Sequence, residues 1–227
     1  MLTREELDVV ALSLKVGFWG VAASLPFATA AAFVLARKEF PGKTLFDALV
    51  HLPLVLPPVV VGFLLLELFG RRGTLGALLE PLGVVFAFRW TGAALAAAIM
   101  GFPLMVRAIR LSMQAIDTRV ESAARTLGAS PLRVFFSVTL PLAWPGLVTG
   151  AILGFARALG EFGATITFVS NIPGETQTLP LAIYTFTQVP GHDSQVLRLS
   201  LIAVVLSLAA LAFSEWLVRR RPGPAHG

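Results

Sequence analysis

Asp117–Pro141, which reads DTRVESAARTLGASPLRVFFSVTLP, is a polar and basic stretch that separates two strongly apolar segments. Four of its apolar residues recur at the spacing of one helix face: Val120, Ala123, Ala124 and Leu127. Gly128 follows at the position where a left-handed residue ends a helix. Ser130 and Pro131 then fit the N-cap and first turn of another helix. The stretch therefore predicts two short helices that meet at a glycine corner.

The start of the first helix has the spacing of a capping box. In this motif the Thr118 hydroxyl and the Glu121 carboxylate would accept hydrogen bonds from the free N–H groups of the first turn. We therefore expect Glu121 to act as the capping partner of Thr118.

The composition around this stretch indicates a membrane protein. Hydrophobic residues make up 56% of the 227-residue chain and charged residues 14%, whereas roughly 25% of a soluble domain is charged. We therefore predict a single-domain, all-α integral membrane protein. The chain has no cysteine, which excludes disulfides, thiolate nucleophiles and cysteine metal sites. Its net charge of +5 comes from residues that flank apolar runs, so we interpret it as a topology signal rather than a nucleic-acid site.

About five apolar runs are long enough to cross a bilayer core of about 30 Å as helices. The predicted spans are 9–36, 48–69, 91–108, 146–169 and 196–218. Residues 1–8 form an acidic flank without the features of a cleaved signal, so we expect the first span to be retained. Residues 221–227 are predicted to be a disordered tail. Eleven Lys and Arg residues lie on one side of this topology and five on the other. The positive-inside rule then places 117–141 and the C-terminus in the cytoplasm and the N-terminus outside.

Two spans carry residues that interrupt a simple apolar helix. Pro57 and Pro58 must kink or break the second span, which serves either as a kinked packing helix or as a hinge. In the fourth span Arg157 and Glu161 stand four residues apart and face each other on a helix. A mutually neutralised structural pair is favoured over an arginine that attracts an anion in a translocation path. Gly146, Gly150 and Gly154 of the same span favour close helix packing within the subunit.

Chemistry that would indicate an enzyme is missing from the sequence. The three histidines are far apart, and the sequence has no HExxH metal motif, no P-loop and no GxSxG elbow. The spans contain no catalytic constellation of charged residues. We therefore expect a chain that is not an enzyme and holds no metal or cofactor of its own.

A polar loop, 170–195, follows the fourth span. Within it, residues 179–189 are predicted to form a helix that is too short to cross the membrane.

The central stretch resembles the cytoplasmic EAA loop of ABC importer permeases. In that pattern E-A-A is followed by three residues, a glycine, nine residues and I-x-L-P. Six residues fall on this spacing: Ala123, Ala124, Gly128, Val138, Leu140 and Pro141. Ser122 stands where the pattern has glutamate, and Glu121 lies one position earlier.

Other segments narrow the resemblance to the molybdate permeases. They are LPPVVVG at 56–62, ARALGEFGAT at 156–165 and NIPGETQTLPLAIY at 171–184. Sulfate and thiosulfate permeases share the RAxGEFG core and match the last segment less well. The resemblance implies a type I ABC importer permease fold, with 9–220 as the transmembrane domain. It also implies four kinds of partner: a second copy of this chain, two cytoplasmic ATPase subunits that bind ATP and Mg²⁺, an external molybdate-binding protein, and membrane lipid.

The resemblance further implies a coupling helix that docks in a cleft of the ATPase and drives alternating access. Its candidate coupling residues are Glu121, Ser122, Ala123, Ala124, Gly128, Leu140 and Pro141. A tetrahedral dianion needs hydroxyl or N–H donors along its path. Thr165, Thr167 and Ser170 are candidates, although hydroxyls that bond back to their own helix are favoured. A tungstate, sulfate or thiosulfate permease stays open as an alternative. A non-transporting membrane scaffold would have no reason to carry the coupling pattern, and a channel would need a continuous polar face that the spans lack.

Overall fold

The computed structural model describes residues 3–219, apart from the side chains of residues 214, 218 and 219. The predicted tail, 221–227, lies outside the described residues. Every regular element within them is helical. In chain order the helices are α1 (Arg4–Arg37), α2 (Lys43–Val55), α3 (Pro58–Phe69), α4 (Thr74–Leu79), α5 (Trp90–Gln114), α6 (Thr118–Thr126), α7 (Pro131–Val134), α8 (Leu140–Leu142), α9 (Trp144–Leu159), α10 (Gly163–Val169), α11 (Leu179–Thr187) and α12 (Asp193–Arg219). A 3-10 turn, Glu80–Leu82, follows α4, and a π-helical turn, Phe135–Thr139, joins α7 to α8.

Three single helices are long and apolar enough to cross a membrane, namely α1, α5 and α12. Two bent pairs, α2 with α3 and 131–142 with α9, raise the number to as many as five. The all-α membrane fold with about five spans therefore agrees with the structure. The first helix starts earlier than the predicted span, because the Thr3 hydroxyl accepts from Glu6 N and the Glu6 carboxylate accepts from Thr3 N. This capping box begins α1 at Arg4.

The predicted second span, 48–69, is two helices that meet at an angle of 111°. α2 ends at Val55, and Leu56 is extended with ψ of 140° because the residue before a proline is driven out of the helical region. Pro58 then occupies the first position of α3, where its missing N–H costs nothing. The prolines therefore break this span rather than bend it slightly.

α5 is the central helix of the bundle and packs against both α1 and α9. Its buried face is built from small residues, so neighbouring backbones approach closely. A Cβ atom on Gly101 would lie 3.2 Å from the Gly154 carbonyl oxygen of α9. The glycine ladder of α9 packs on α5 along its length, since Cβ atoms on Gly150 and Gly154 would both meet Met105. The ladder therefore serves packing within the subunit, as predicted. Such close contacts hold helices together in a membrane, where the hydrophobic effect does not drive helices to associate.

The predicted fourth span, 146–169, is interrupted between α9 and α10. α9 ends at Leu159, and the backbone turns through Gly160, Glu161 and Phe162 before α10 begins. Beyond α10, the polar loop leads into α11, the short helix expected there. α11 packs against α12, whose outer side chains are mostly exposed and apolar. That surface is available to lipid or to another chain.

Candidate functional site

The stretch 117–141 forms two short helices joined at Gly128, as the sequence predicts. Gly128 has a φ of 85°, a left-handed conformation that favours glycine. Ala129 N donates to the Ala124 carbonyl across this corner, which satisfies the end of α6. The Ser130 hydroxyl accepts from Arg133 N at 3.3 Å and caps α7, with Pro131 in its first turn. The corner therefore holds α6 in a defined orientation relative to α7.

The predicted capping box at Thr118 is wrong. The N-cap of α6 is Asp117, whose carboxylate accepts from Arg119 N at 2.9 Å. Thr118 is the first residue inside the helix, and Glu121 turns away from the helix start. Aspartate and threonine are both favourable N-cap residues. Glu121, the expected partner of Thr118, instead accepts hydrogen bonds from two other segments of the chain.

Glu121 is a buried carboxylate, 5% exposed, that joins three separate segments of the chain. Its Oε1 atom accepts from Arg37 Nε at 3.1 Å and from Thr139 Oγ1 at 2.9 Å. Arg37 Nη2 lies 3.0 Å from the same oxygen and also donates to the Ile116 carbonyl at 3.2 Å. Arg37 ends α1 and Thr139 ends the π-helical turn. This Glu121 cluster (Arg37, Glu121, Thr139) ties α6 to α1 and to the segment that enters α9.

The other side of the α6 segment is exposed and partly apolar. Leu127 is 88% exposed, Leu132 72% and Val120 47%. The apolar face that the spacing predicts is therefore not covered by the described part of the chain. These residues lie among charged ones in a connection between spans, outside the predicted lipid-facing helices. This exposed apolar surface is available for contact with another protein.

The remaining candidate coupling residues lie along the same segment. Ser122, Ala123 and Gly128 are exposed, and Ala124 is half-buried. The Ser122 hydroxyl donates to the Thr118 carbonyl at 3.0 Å. Leu140 and Pro141 form the short α8 after the π-helical turn, away from the corner itself. The structure thus leaves four of the candidate residues accessible or half-accessible on α6 and its corner, whereas it buries Glu121.

Arg157 and Glu161 form the ion pair that their spacing predicts, with Nη1 and Oε2 2.7 Å apart. Glu161 is 2% exposed and lies beyond the end of α9. Its second oxygen accepts from Ala164 N at 2.8 Å, at the start of α10. The carboxylate therefore neutralises Arg157 and satisfies a backbone N–H at the break between two helices. This geometry supports the structural interpretation of the pair.

The three hydroxyls proposed along this span do not converge on one site. Thr167 donates to the Gly163 carbonyl at 2.9 Å, the back-bonding that the sequence favours. Thr165 is buried, and Ser170 is exposed with a φ of 64° at the end of α10. Among the described residues no group of three or more metal-ligating His, Cys, Asp or Glu side chains occurs.

Sequence reasoning missed the partners of Glu121 and a second polar cluster. Arg37 enters the sequence prediction only as one of the eleven basic residues on the cytoplasmic side, and Thr139 has no predicted role. Asp47 contacts His51, one turn later on α2, and also pairs with Arg110 of α5. The i, i+4 spacing of Asp47 and His51 is a signal that could have indicated the cluster.

Comparisons with known proteins place this chain in one family. Residues 24–222 match the family described as "Binding-protein-dependent transport system inner membrane component". The chain is 58% identical over 220 residues to the molybdenum transport system permease protein of Escherichia coli (strain K12), covering 96% of both chains. It is 56% identical to the corresponding permease of Haemophilus influenzae, covering 95% of this chain and 94% of that one. A sulfate transport system permease of Synechococcus elongatus is 42% identical, covering 79% of this chain and 63% of that one.

Solved structures share the same fold at low sequence identity. A bacterial ABC transporter that imports alginate superposes with a TM-score of 0.75 at 15% identity, covering 97% of this chain and 81% of that chain. The inward-facing methionine ABC transporter MetNI gives a TM-score of 0.69 at 18% identity, covering 96% of this chain and 94% of that chain. The type I ABC importer permease fold is therefore confirmed, and the full-length relatives are transport permeases rather than enzymes. The chain belongs to the family of binding-protein-dependent transport system inner membrane components.

Proposed function

We propose that this chain is the membrane-spanning permease subunit of an ATP-driven importer of molybdate. The observation that carries the proposal is the 58% identity, over 96% of both chains, to a permease named for molybdenum transport. The sulfate permease is less similar and is covered only in part. Tungstate matches molybdate in shape and charge, so it is the closest competing substrate; sulfate and thiosulfate are the next.

The partners follow from what the chain lacks and what it exposes. The sequence has no P-loop, so ATP and Mg²⁺ belong to a separate ATPase subunit. The exposed leucines of the α6 segment offer that subunit an apolar contact on the basic, cytoplasmic side. An external binding protein would deliver the oxyanion, and a second copy of this chain would complete the pathway. The N-terminal flank, 1–8, would lie outside and the C-terminus in the cytoplasm.

Coupling would run through α6. The helix is short and held at both ends by Asp117 and the Gly128 corner, so it can move as a rigid lever. Its Glu121 cluster would carry that movement into the end of α1 and the start of the fourth span. The break at Pro57 and Pro58 would serve as a hinge in this rocking motion. ATP-driven closure of the ATPases would thereby switch the pathway between outward and inward access.

The test is ATP hydrolysis by the complex, reconstituted with its ATPase and its external binding protein. We expect binding protein loaded with molybdate to stimulate hydrolysis more than the unloaded protein does. Tungstate and sulfate are tested in parallel. Stimulation by sulfate alone would overturn molybdate as the substrate but leave the permease assignment standing. A non-transporting scaffold would show no stimulation and no co-purification with an ATPase.

A further inference from the structure

An open cavity of about 580 Å³, lined mainly by residues with polar side chains, lies between the first turns of α2 and the last turns of α5. Its polar lining residues are Thr44, Asp47, His51, Arg107, Arg110 and Gln114. None of them was selected from the sequence as a site residue. The α5 residues come shortly before α6, so the cavity opens toward the side that the positive-inside rule assigns to the cytoplasm.

Two arginines line this cavity, and only one of them is paired. Arg110 Nη1 lies 2.9 Å from Asp47 Oδ2, which fixes its guanidinium against α2. His51 Nδ1 lies 3.1 Å from the other oxygen of Asp47. Arg107 is exposed and makes no ion pair or side-chain hydrogen bond within residues 3–219. Two guanidinium groups therefore line the cavity beside one carboxylate, and Arg107 has no counter-charge among the described residues.

The position of Arg107 makes its lack of a partner informative. It lies two turns before the end of α5, inside the predicted span 91–108. An arginine at the centre of a span costs about 2.5–3.5 kcal/mol on insertion scales, and one near the end of a span, as here, is accommodated when its long side chain reaches water or an anion. Arg107 also lines a second cavity, of about 530 Å³, between α5 and α9. The side chain therefore stands in an open groove along α5 rather than against the core.

We propose that Arg107 and Arg110, with the Thr44 hydroxyl and the Gln114 amide as neutral donors, form a binding site for a tetrahedral oxyanion. Asp47 fixes the orientation of the Arg110 guanidinium. The guanidinium of Arg107 supplies a positive charge and several N–H donors that suit an oxyanion. Two sources provide this chemistry on the cytoplasmic side: a transported oxyanion that leaves the pathway, and the phosphate of an anionic lipid. The first source rests on the proposed function, whereas the second does not.

The chain has no cysteine, so one introduced cysteine is the only thiol of the permease, and its reactivity reports on this cavity. Ala48→Cys places the thiol on an exposed residue of the lining that supplies no donor to the proposed site. The complex with its ATPase is assembled in phosphatidylcholine nanodiscs, and the permease band alone is scored for labelling. We measure the rate of modification by an anionic and by a cationic methanethiosulfonate reagent. Their ratio reports the local potential and cancels differences in access.

We expect Arg107→Gln in the Ala48→Cys background to lower the anionic-to-cationic rate ratio about tenfold, since local potentials of this kind concentrate ions by at least that factor. Arg107→Lys keeps the charge and should keep most of the ratio. Lys38→Gln is the matched control, because Lys38 is an exposed cation on the same side that does not line the cavity. It should leave the ratio unchanged.

Protection from the anionic reagent identifies the source of the ligand. Protection by molybdate in phosphatidylcholine nanodiscs assigns the site to a transported oxyanion. Protection that requires added phosphatidylglycerol assigns it to a lipid phosphate and leaves the proposed transport function standing. An unchanged ratio in Arg107→Gln, or a changed ratio without protection by either anion, would overturn the site. Absence of molybdate-stimulated hydrolysis would count against the transport function alone.

Discussion

Arg37 Nη2 lies 3.0 Å from Glu121 Oε1, and both side chains are almost fully buried where the last turn of α1 meets α6. The two residues are 84 positions apart in sequence. Because Thr139 donates to the same oxygen, one carboxylate holds the proposed coupling helix to both segments that lead into the membrane. Glu121 therefore holds α6 inside the permease, and in the proposed complex the contact with the ATPase would fall to its exposed neighbours.

Breaking this pair should destabilise the protein strongly. Glu121→Gln leaves the buried guanidinium of Arg37 without a counter-charge, which costs about 3–5 kcal/mol in buried pairs. Unfolding of the purified chain in a denaturing detergent measures the loss. The matched control is Glu39→Gln at an exposed ion pair, in which Lys43 Nζ lies 2.7 Å from Glu39 Oε1. An exposed pair contributes less than about 1 kcal/mol.

A double variant separates charge burial from packing in the same cluster. Arg37→Met with Glu121→Leu removes both charges at once, so we expect it to recover more than half of the stability lost in Glu121→Gln. If Glu121→Gln proves as mild as Glu39→Gln, the cluster is not the link that the distances indicate.

We expect Gly128→Val to impair the coupling of transport to the ATPase while it destabilises the fold only modestly. Gly128 and Gly42 have φ values of 85° and 88°, and a Cβ on either would meet no atom within 4 Å. Valine in this conformation costs about 1–2 kcal/mol at both sites. Gly42→Val is therefore a control with equal strain outside the α6 segment. We expect only Gly128→Val to weaken association with the ATPase, by about tenfold or ~1.4 kcal/mol.

Association is measured by titrating labelled ATPase into the nanodisc-embedded permease. A Gly128→Val permease that binds its ATPase at wild-type strength, or a Gly42→Val permease that loses binding equally, would count against docking at this corner.

The Arg157–Glu161 pair should behave as a structural unit. Arg157→Gln leaves the carboxylate of Glu161, 2% exposed, without its cation, a change that costs about 3–5 kcal/mol in buried pairs. Arg157→Gln combined with Glu161→Gln removes both charges and keeps an oxygen for Ala164 N. We expect the double variant to recover most of the stability and to import molybdate within about twofold of the wild type. A stable double variant that has lost uptake would instead show that Arg157 attracts the transported anion.

The glycine ladder should tolerate no side chain at its first position. A Cβ on Gly146 would overlap the Cβ of Ser112 on α5. Overpacking of this kind costs about 1–3 kcal/mol, measured by the same detergent unfolding. Ser112→Gly in the Gly146→Ala background should restore part of the loss. Gly160→Ala is the control, because a Cβ atom on Gly160 would lie 4.0 Å from the Arg157 carbonyl oxygen, an ordinary contact distance. Equal losses at Gly146 and Gly160 would contradict close packing by the ladder.

Local signals in the sequence predicted much of the fold correctly. The positions of Gly128, Ser130 and Pro131 predicted the corner after α6, because caps and left-handed turns depend on neighbouring residues alone. The prolines at 57 and 58 indicated the break in the second span for the same reason. Hydropathy located the long helices but not the break at 160–162, where apolar residues on both sides conceal a short non-helical segment.

The contacts of the candidate site were harder to predict. The two candidate N-caps, Asp117 and Thr118, are neighbours in sequence, and no local signal indicates that Glu121, the expected partner of Thr118, pairs with Arg37 instead. No periodicity relates Arg37 to Glu121, since only the packing of α1 against the bundle brings them together. The Asp47–Arg110 contact has the same origin, because it joins two helices 63 residues apart in sequence.

Uptake of radioactive molybdate into proteoliposomes tests the proposed function most directly. The vesicles contain this chain and its ATPase, with ATP on the side of α6 and the binding protein on the opposite side. We expect molybdate to accumulate above its external concentration only when ATP, ATPase and binding protein are all present. Accumulation of sulfate but not molybdate, or molybdate entry that needs neither ATP nor binding protein, would contradict an ATP-driven molybdate permease.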